Sequence, residues 1–257
     1  MRIRQASRRG VAANNEDRIG AGADWAFVLD GATAPSGVAS GCAHDVSWLV
    51  DRLAEALRVT LGTPMPLPDA LAVAIERVRY AHGGGCDLDN PDSPSATAVL
   101  ARRSEHGLDY LVLADSAVLF AQDDGTVRAV SDDRVDRLPG GRPYSRQLVR
   151  ESRNTPGGFW VASTVPEAAY QAVLGTARAS EFALMSDGCT RLVDYYGHTW
   201  ESVWRHLRER GPHSLVDWVR AEEVRNGVPL GKIHDDATVL HAVFTPDQAR
   251  RLTTAVR

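Results

Sequence analysis

The chain has 257 residues, 44% of them apolar, six Trp and a formal charge of −4, enough apolar material for a full core and a length that reads as one domain over 1–257. Apart from Arg2, Arg4, Arg8 and Arg9 the basic residues do not cluster, which argues against nucleic acid as a partner and makes the N-terminus a solvated arm. Polar residues follow Met1-Arg2-Ile3-Arg4 and no apolar stretch approaches the roughly 18 residues of a membrane span, so a signal peptide and a membrane partner are excluded and a cytoplasmic location is expected.

Trp25 to Asp30 is a short apolar run stopped by Gly31, the pattern of a buried strand that delivers a carboxylate to its end. A Gly/Ser/Pro-containing loop spans Ala32 to Gly41. Val46, Leu49, Val50, Leu53 and Leu57 then recur at helical spacing, with Asp51, Arg52, Glu55 and Arg58 on the opposite face. Pro68-Asp69 opens a second helix with Leu71, Ile75 and Val78 inward, and Gly83-Gly84-Gly85 closes it. After a polar loop from Cys86 to Pro94 come three closely spaced strands, Thr97 to Ala101, Tyr110 to Ala114 and Val118 to Ala121, read as hairpins. Arg134 to Gly158 is polar, with room for one helix between its Pro-Gly-Gly breakers. Phe159 to Ser163 and Phe182 to Ser186 read as strands, and Trp200 to Leu207 and Leu215 to Glu222 as helices. Ala237 to Phe244 is a last strand, and the tail at 246–256 carries a terminal helix. Strand clusters alternating with helix pairs predict an α+β fold, two antiparallel sheets with helices packed outside, rather than a parallel sheet.

Cys42, Cys86 and Cys189 are odd in number and have no Cys-x-x-Cys spacing, which argues against a disulfide framework and a zinc knuckle; inert thiols are expected. Trp200, Trp204 and Trp218 read as core packing. Gly37 to Gly41 lacks the nucleophile-elbow spacing, and Gly83 to Gly85 lacks the Lys-Ser/Thr of a phosphate-binding loop.

The chemistry is carried by acidic residues in short apolar segments: Asn15-Glu16-Asp17, Leu29-Asp30-Gly31, Ala114-Asp115-Ser116, Ser186-Asp187-Gly188 and Asp235-Asp236-Ala237-Thr238. Carboxylates at strand ends are costly unless a cation collects them. Asp30, Asp187 and Asp235, brought together, make an oxygen-rich site suited to Mg²⁺ or Mn²⁺, with glycines that turn the chain sharply and free a carbonyl. Two such ions about 3.5–4 Å apart can share a carboxylate and hold a bridging hydroxide aimed at phosphorus. Any single Asp-Gly is ordinarily a turn; five acidic motifs together are not so easily dismissed. His234, beside Asp235, is either an acid or substrate contact or an exposed neighbour of the site.

In this order, and with Ser95-Ala96-Thr97-Ala98 between the second and third motifs, the residues resemble the metal-dependent type 2C (PPM family) serine/threonine protein phosphatases of bacterial type, from Asn15 to Phe244. The resemblance implies a four-layer α-β-β-α sandwich and a Mn²⁺- or Mg²⁺-dependent phosphatase acting on phosphoserine or phosphothreonine in a protein substrate through a hydroxide bridging two metals. It implies Asp30 as the ligand of both metals with the Gly31 carbonyl on one of them. Asp187 and Asp235 complete the other. Glu16 and Asp17 serve the second metal directly or through water, and Asp115 with Asp187 forms a third, weaker site. Asp17, Asp30 and Asp187 are then the catalytic set, and the polar segment from Arg134 to Gly158 the flap beside it.

Three positions depart from the pattern. Ala12 stands where bacterial members usually carry the phosphate-clamping Arg, which leaves Arg8 or Arg9 as candidates for that contact. Ala32-Thr33-Ala34-Pro35 replaces His or Met followed by Gly, so no side chain there can act as general acid. Ala114-Asp115-Ser116 replaces Gly-Asp-Ser. The first two departures keep two alternatives open: a non-catalytic binding module, and a phosphatase for small phosphate esters.

Overall fold

A computed structural model describes residues 1–32, 37–105 and 107–245. Among the described residues ten strands form two five-stranded antiparallel sheets. The first sheet runs in the order β1 (Arg2–Arg8), β10 (Ala237–Val243), β9 (Glu181–Met185), β6 (Ala117–Ala121), β7 (Val127–Val130). The second runs β2 (Arg18–Ala21), β3 (Trp25–Ala32), β4 (Ser95–Ser104), β5 (Gly107–Leu113), β8 (Val173–Ala177). Helices α1 (Val46–Thr60) and α2 (Leu67–Ala81) cover the second sheet. Helices α4 (Asp187–Asp194) and α5 (Trp200–Asn226) cover the first, and α3 (Arg146–Ser152) lies in the polar segment from Arg134 to Gly158.

Strand parity explains the layering. Along β3, Phe27 and Leu29 pack under α1 and α2, whereas Ala26 and Val28 face the other sheet. In β10, Ala237 and Val239 pack with the helices, and Leu240 and Ala242 lie between the sheets. Strands buried on both faces read as continuous apolar runs, which is why they were legible without alternation. Asp30 shares the parity of Ala26 and Val28, which places its carboxylate at the end of the layer between the sheets.

Several elements differ from their sequence reading. The arginine-rich start is strand β1, paired along its length with β10, and Arg4 is satisfied by the Leu207 and Arg208 carbonyls and by His241 Nδ1 at 2.9 Å. Strands β2, β7 and β8 are short or half-exposed and gave no apolar run. Phe159 to Ser163 forms only isolated bridges, including Ala96 to Ala162. β4 and β5 do form a hairpin, but β6 leaves for the other sheet, so the chain crosses between sheets at Ala114-Asp115-Ser116. Gly31 does not end its strand: β3 continues to Ala32. The two helices after Trp200 are joined at Gly211-Pro212, where Gly211 has a φ of 85°. The expected terminal helix at 246–256 lies outside the described residues, among which no helix is long and apolar enough to cross a membrane.

Candidate active site

Asp30, Asp187, Asp17 and Asp115 arrive at one end of the sandwich from four different elements, and that convergence defines the site. Asp187 is the first residue of α4, directly after β9, and its backbone N–H donates to Asp30 Oδ2 at 3.4 Å. A carboxylate is favoured there by the unpaired N–H groups of the helix start. The glycines beside the two aspartates are required by close approach rather than by a turn. A Cβ on Gly31 would stand 2.4 Å from Val46 Cγ1 and 2.9 Å from the Glu16 carbonyl oxygen. One on Gly188 would stand 1.9 Å from the Asp236 carbonyl oxygen. Gly31 therefore lets the Glu16 segment lie against β3, and Gly188 lets α4 lie against the start of β10.

Asp17 is buried, accepts from Ser186 Oγ at 2.9 Å through Oδ2, and has no hydrogen-bond partner for Oδ1. Ser186 in turn accepts the Thr238 N–H at 3.0 Å, linking the first, fourth and fifth acidic motifs. Asp236, which sequence reasoning passed over in favour of its neighbour, accepts the backbone N–H groups of Gly10 at 2.7 Å and Glu16 at 2.6 Å. It holds the loop that carries Glu16 and Asp17. Its position immediately after Asp235 in an acidic pair was the signal.

Asp115 follows Ala114, whose φ of 66° is a left-handed conformation unusual for a residue with a side chain. The crossover between sheets imposes that conformation, and Gly would adopt it without strain.

Burial and mutual repulsion govern the electrostatics. Burial pushes the Asp17 carboxyl up to about 7, with Asp236 and Asp187 adding to the rise against hydrogen bonds from Thr238 and Ser186. Asp115 is pushed up to about 7 by burial and by Asp187, and Arg142 opposes the shift. Asp30 is held well above the ordinary carboxylate range by burial and then by Asp187, Asp17, Asp115 and Asp235. Asp187 is raised by burial and Asp235. Among the described residues none of these four carboxylates forms an ion pair. Asp17, buried with an orphaned oxygen, and half-buried Asp30, Asp115 and Asp187, none of them ion-paired, are the donor set that hard divalent ions take.

Asp235 is placed differently. Arg191 Nη2 donates to its Oδ2 at 3.0 Å and Lys232 Nζ to its Oδ1 at 3.0 Å. Arg191 is itself buried and also pairs with Glu223 at 2.8 Å. The sequence reading contained neither cation.

Other candidates point elsewhere. Arg8 pairs with Asp217 at 2.6 Å, and Arg9 donates to the Ala13 carbonyl at 2.6 Å. His234 Nδ1 lies 2.6 Å from Glu223 Oε2, turned toward α5. Thr33 to Pro35, in the segment expected to lack a general acid, lie outside the described residues. Besides Arg191 and Lys232, Arg142 approaches the carboxylates on the Asp115 side, from the segment expected to be the flap. It is bound to Asp136 at 2.7 Å and lines a cavity of about 400 Å³ with Asp115, Asp187, Thr190, Asp194 and Tyr195. A larger groove of about 1080 Å³ lies over β1, β10 and α5 and holds none of the acidic motifs.

Over residues 4–220 the chain matches the family model of protein phosphatase 2C. It therefore belongs to the protein phosphatase 2C family, a class of phosphoric monoester hydrolases. Its fold is shared with the serine/threonine phosphatase PstP/Ppp of Mycobacterium tuberculosis at 21% identity and a TM-score of 0.61, covering 95% of this chain and 98% of that one. The PPM Ser-Thr phosphatase MsPP of Mycobacterium smegmatis, solved in complex with cacodylate, matches at 18% identity and a TM-score of 0.62 over 95% and 99%. The catalytic domain of PstP in complex with two manganese ions matches at 20% identity and a TM-score of 0.56 over 94% and 97%. No curated protein sequence matches.

Proposed function

We propose that this chain is a Mn²⁺- or Mg²⁺-dependent phosphatase that hydrolyses phosphoserine or phosphothreonine in proteins. The observation that carries the reading is the convergence of buried Asp17 with half-buried Asp30, Asp115 and Asp187, none of them in an ion pair among the described residues, in a chain of this family. Asp30 would be the shared ligand of two ions with the Gly31 carbonyl beside it, Asp187 and Asp235 would serve one, Glu16 and Asp17 the other, and Asp115 with Asp187 a third. The solved PstP domain with two manganese ions supports the first two of these ions and manganese as the metal. When bound, such ions lower the pKa of water and neutralise charge on a phosphoryl group.

The chain's own residues have definable tasks. Asp30, held at the start of α4, and Asp17, held by Ser186, keep the ligand oxygens in place. Asp236 fixes the Glu16 segment through two backbone N–H groups. Arg142, at the rim of the Asp115 cavity, is the guanidinium best placed to meet a phosphate ester, a role that Ala12 cannot fill and that Arg8 and Arg9 are turned away from. The polar segment that supplies Asp133, Asp136 and Arg142 to the wall of this cavity is where an extended phosphopeptide would be selected. The free thiols of Cys42, Cys86 and Cys189 suit the reducing cytoplasm.

A second reading is favoured by one observation. Arg191 and Lys232 already collect Asp235, so the site offers less uncompensated charge than its carboxylate count suggests. A binding module without turnover would need no more. Phosphate release from phosphoserine and phosphothreonine peptides, measured beside small phosphate esters with added Mn²⁺, separates the readings. Faster release from peptides supports the protein phosphatase, preference for small esters the alternative substrate, and none from either the binding module.

A further inference from the structure

A second cluster of metal-ligating side chains lies outside the carboxylate site. Cys42 and His44 sit on the loop between β3 and α1, and Cys86 follows the short turn at Gly83–Gly85 after α2. Cys42 Sγ lies 3.2 Å from Cys86 Sγ, and His44 Nδ1 lies 3.6 Å from Cys42 Sγ and 3.4 Å from Cys86 Sγ. All three residues are half-buried. The missing Cys-x-x-Cys spacing, which argues against a zinc knuckle, does not record the loop contacts that bring residues 42 and 86 together.

We propose that Cys42, His44 and Cys86 form a site for a thiolate-preferring divalent ion, Zn²⁺ above all, separate from the phosphatase centre. Tetrahedral Zn²⁺ with Zn–S of about 2.3 Å and Zn–N of about 2.0–2.1 Å places sulfur about 3.6 Å from nitrogen and sulfurs about 3.8 Å apart. The two sulfur–nitrogen distances meet that geometry, and the sulfurs need to part by about half an ångström to admit the ion. Both sulfurs also accept backbone N–H groups, His44 N–H on Cys42 at 3.4 Å and Ala43 N–H on Cys86 at 3.4 Å, which fix their positions beside the imidazole. A disulfide would explain the approach of the sulfurs but not the imidazole nitrogen aimed at both. His44 is held in that orientation by stacking on Trp48, ring centroids 3.8 Å apart. Binding releases the two thiol protons to solvent, and a water fills the fourth position that the half-exposed setting leaves open.

The site is placed to matter. It ties the loop leaving Asp30-Gly31 to the loop of residues 86–94, alongside the Asp87 N–H bond to the Gly41 carbonyl at 2.8 Å and the Asn90 amide bond to the Ala39 carbonyl at 3.3 Å. Zinc is then a clip on the segment that continues from the metal-bridging aspartate.

The test uses tag-free, full-length chain carrying Asp30→Asn and Asp187→Asn, so that the carboxylate centre is disabled and ion binding elsewhere is read alone. Zinc content after exhaustive dialysis should be about one per chain, and Co²⁺ substitution should give thiolate-to-cobalt charge-transfer absorption. Cys42→Ser or Cys86→Ser, checked for folding by circular dichroism, should abolish both signals, and His44→Ala should weaken them. Folded protein with no retained zinc and no charge-transfer band would overturn the proposal. So would a Cys42–Cys86 disulfide that forms in air despite stoichiometric Zn²⁺.

Discussion

Ser186 donates to Asp17 while accepting the backbone N–H of Thr238, and through that one hydroxyl the start of β10 sets the position of a carboxylate far away in the chain. Asp17 Oδ1 is left buried and unpartnered by the same arrangement. Replacing Ser186 by Ala strands the Thr238 N–H and removes one of the hydroxyl bonds to Asp17. The expected cost is about 1–3 kcal/mol for the buried donor alone. Urea denaturation of Ser186→Ala beside the parent checks it, and an unchanged midpoint would show that the hydroxyl is not what holds the two segments.

The shifted carboxylates give the metal-free chain a defined pH response. Asp17 and Asp115 stand near 7 when folded and have an ordinary value of 3.8, so between those values the folded state binds protons that the unfolded state has released. Stability conferred by a raised carboxyl pKa is present at the acid end of that window and is lost as the pH rises through it. In EDTA, Tm should therefore fall from pH 5 to about pH 7.5, and added Mn²⁺ should restore it most at the higher pH. A metal-free Tm that rises across the window would contradict the account.

Arg191 is a buried cation shared by Glu223 and Asp235, with Glu223 also held by Arg220 at 2.7 Å. Arg191→Met should destabilise by about 3 kcal/mol, because removing one partner leaves buried charge uncompensated. The same change should raise Mn²⁺ affinity by releasing Asp235. Calorimetric titration reads the second effect independently of the first.

Much of this was legible in the residues. The Asp-Gly pairs, the apolar runs before them and the order of the motifs marked Asp30, Asp115 and Asp187 before any coordinates, and the structure brings these three together with Asp17. Strands buried on both faces announced themselves as unbroken apolar runs. β1 did not, because Arg4 and Arg8 along it are held by α5 and β10, partners distant in sequence. Likewise Arg142, Arg191 and the Cys42–Cys86 approach depend on contacts between remote loops, which no local pattern records. Ala114 looked like a minor change from Gly. Its cost is visible only in a backbone angle.

Arg142 gives a functional prediction of its own. Arg142→Ala should raise KM for phosphopeptides by about tenfold, in line with loss of a charge-assisted bond worth about 1.5 kcal/mol, and change kcat less. Arg8→Ala and Arg9→Ala should leave KM within about twofold, since their guanidinium groups are committed to Asp217 and the Ala13 carbonyl. Steady-state kinetics on all three variants decides which arginine meets the phosphate.

The central claim is that the converged carboxylates build a metal-dependent phosphatase centre. Hydrolysis of p-nitrophenyl phosphate with Mn²⁺, Mg²⁺ or EDTA, by the parent and by Asp30→Asn and Asp187→Asn, tests it most directly. Turnover that requires the ion and is lost in both variants, each still folded, is the predicted result. Turnover that survives EDTA or the loss of Asp30, or its absence from well-folded parent protein with every metal, would contradict the account.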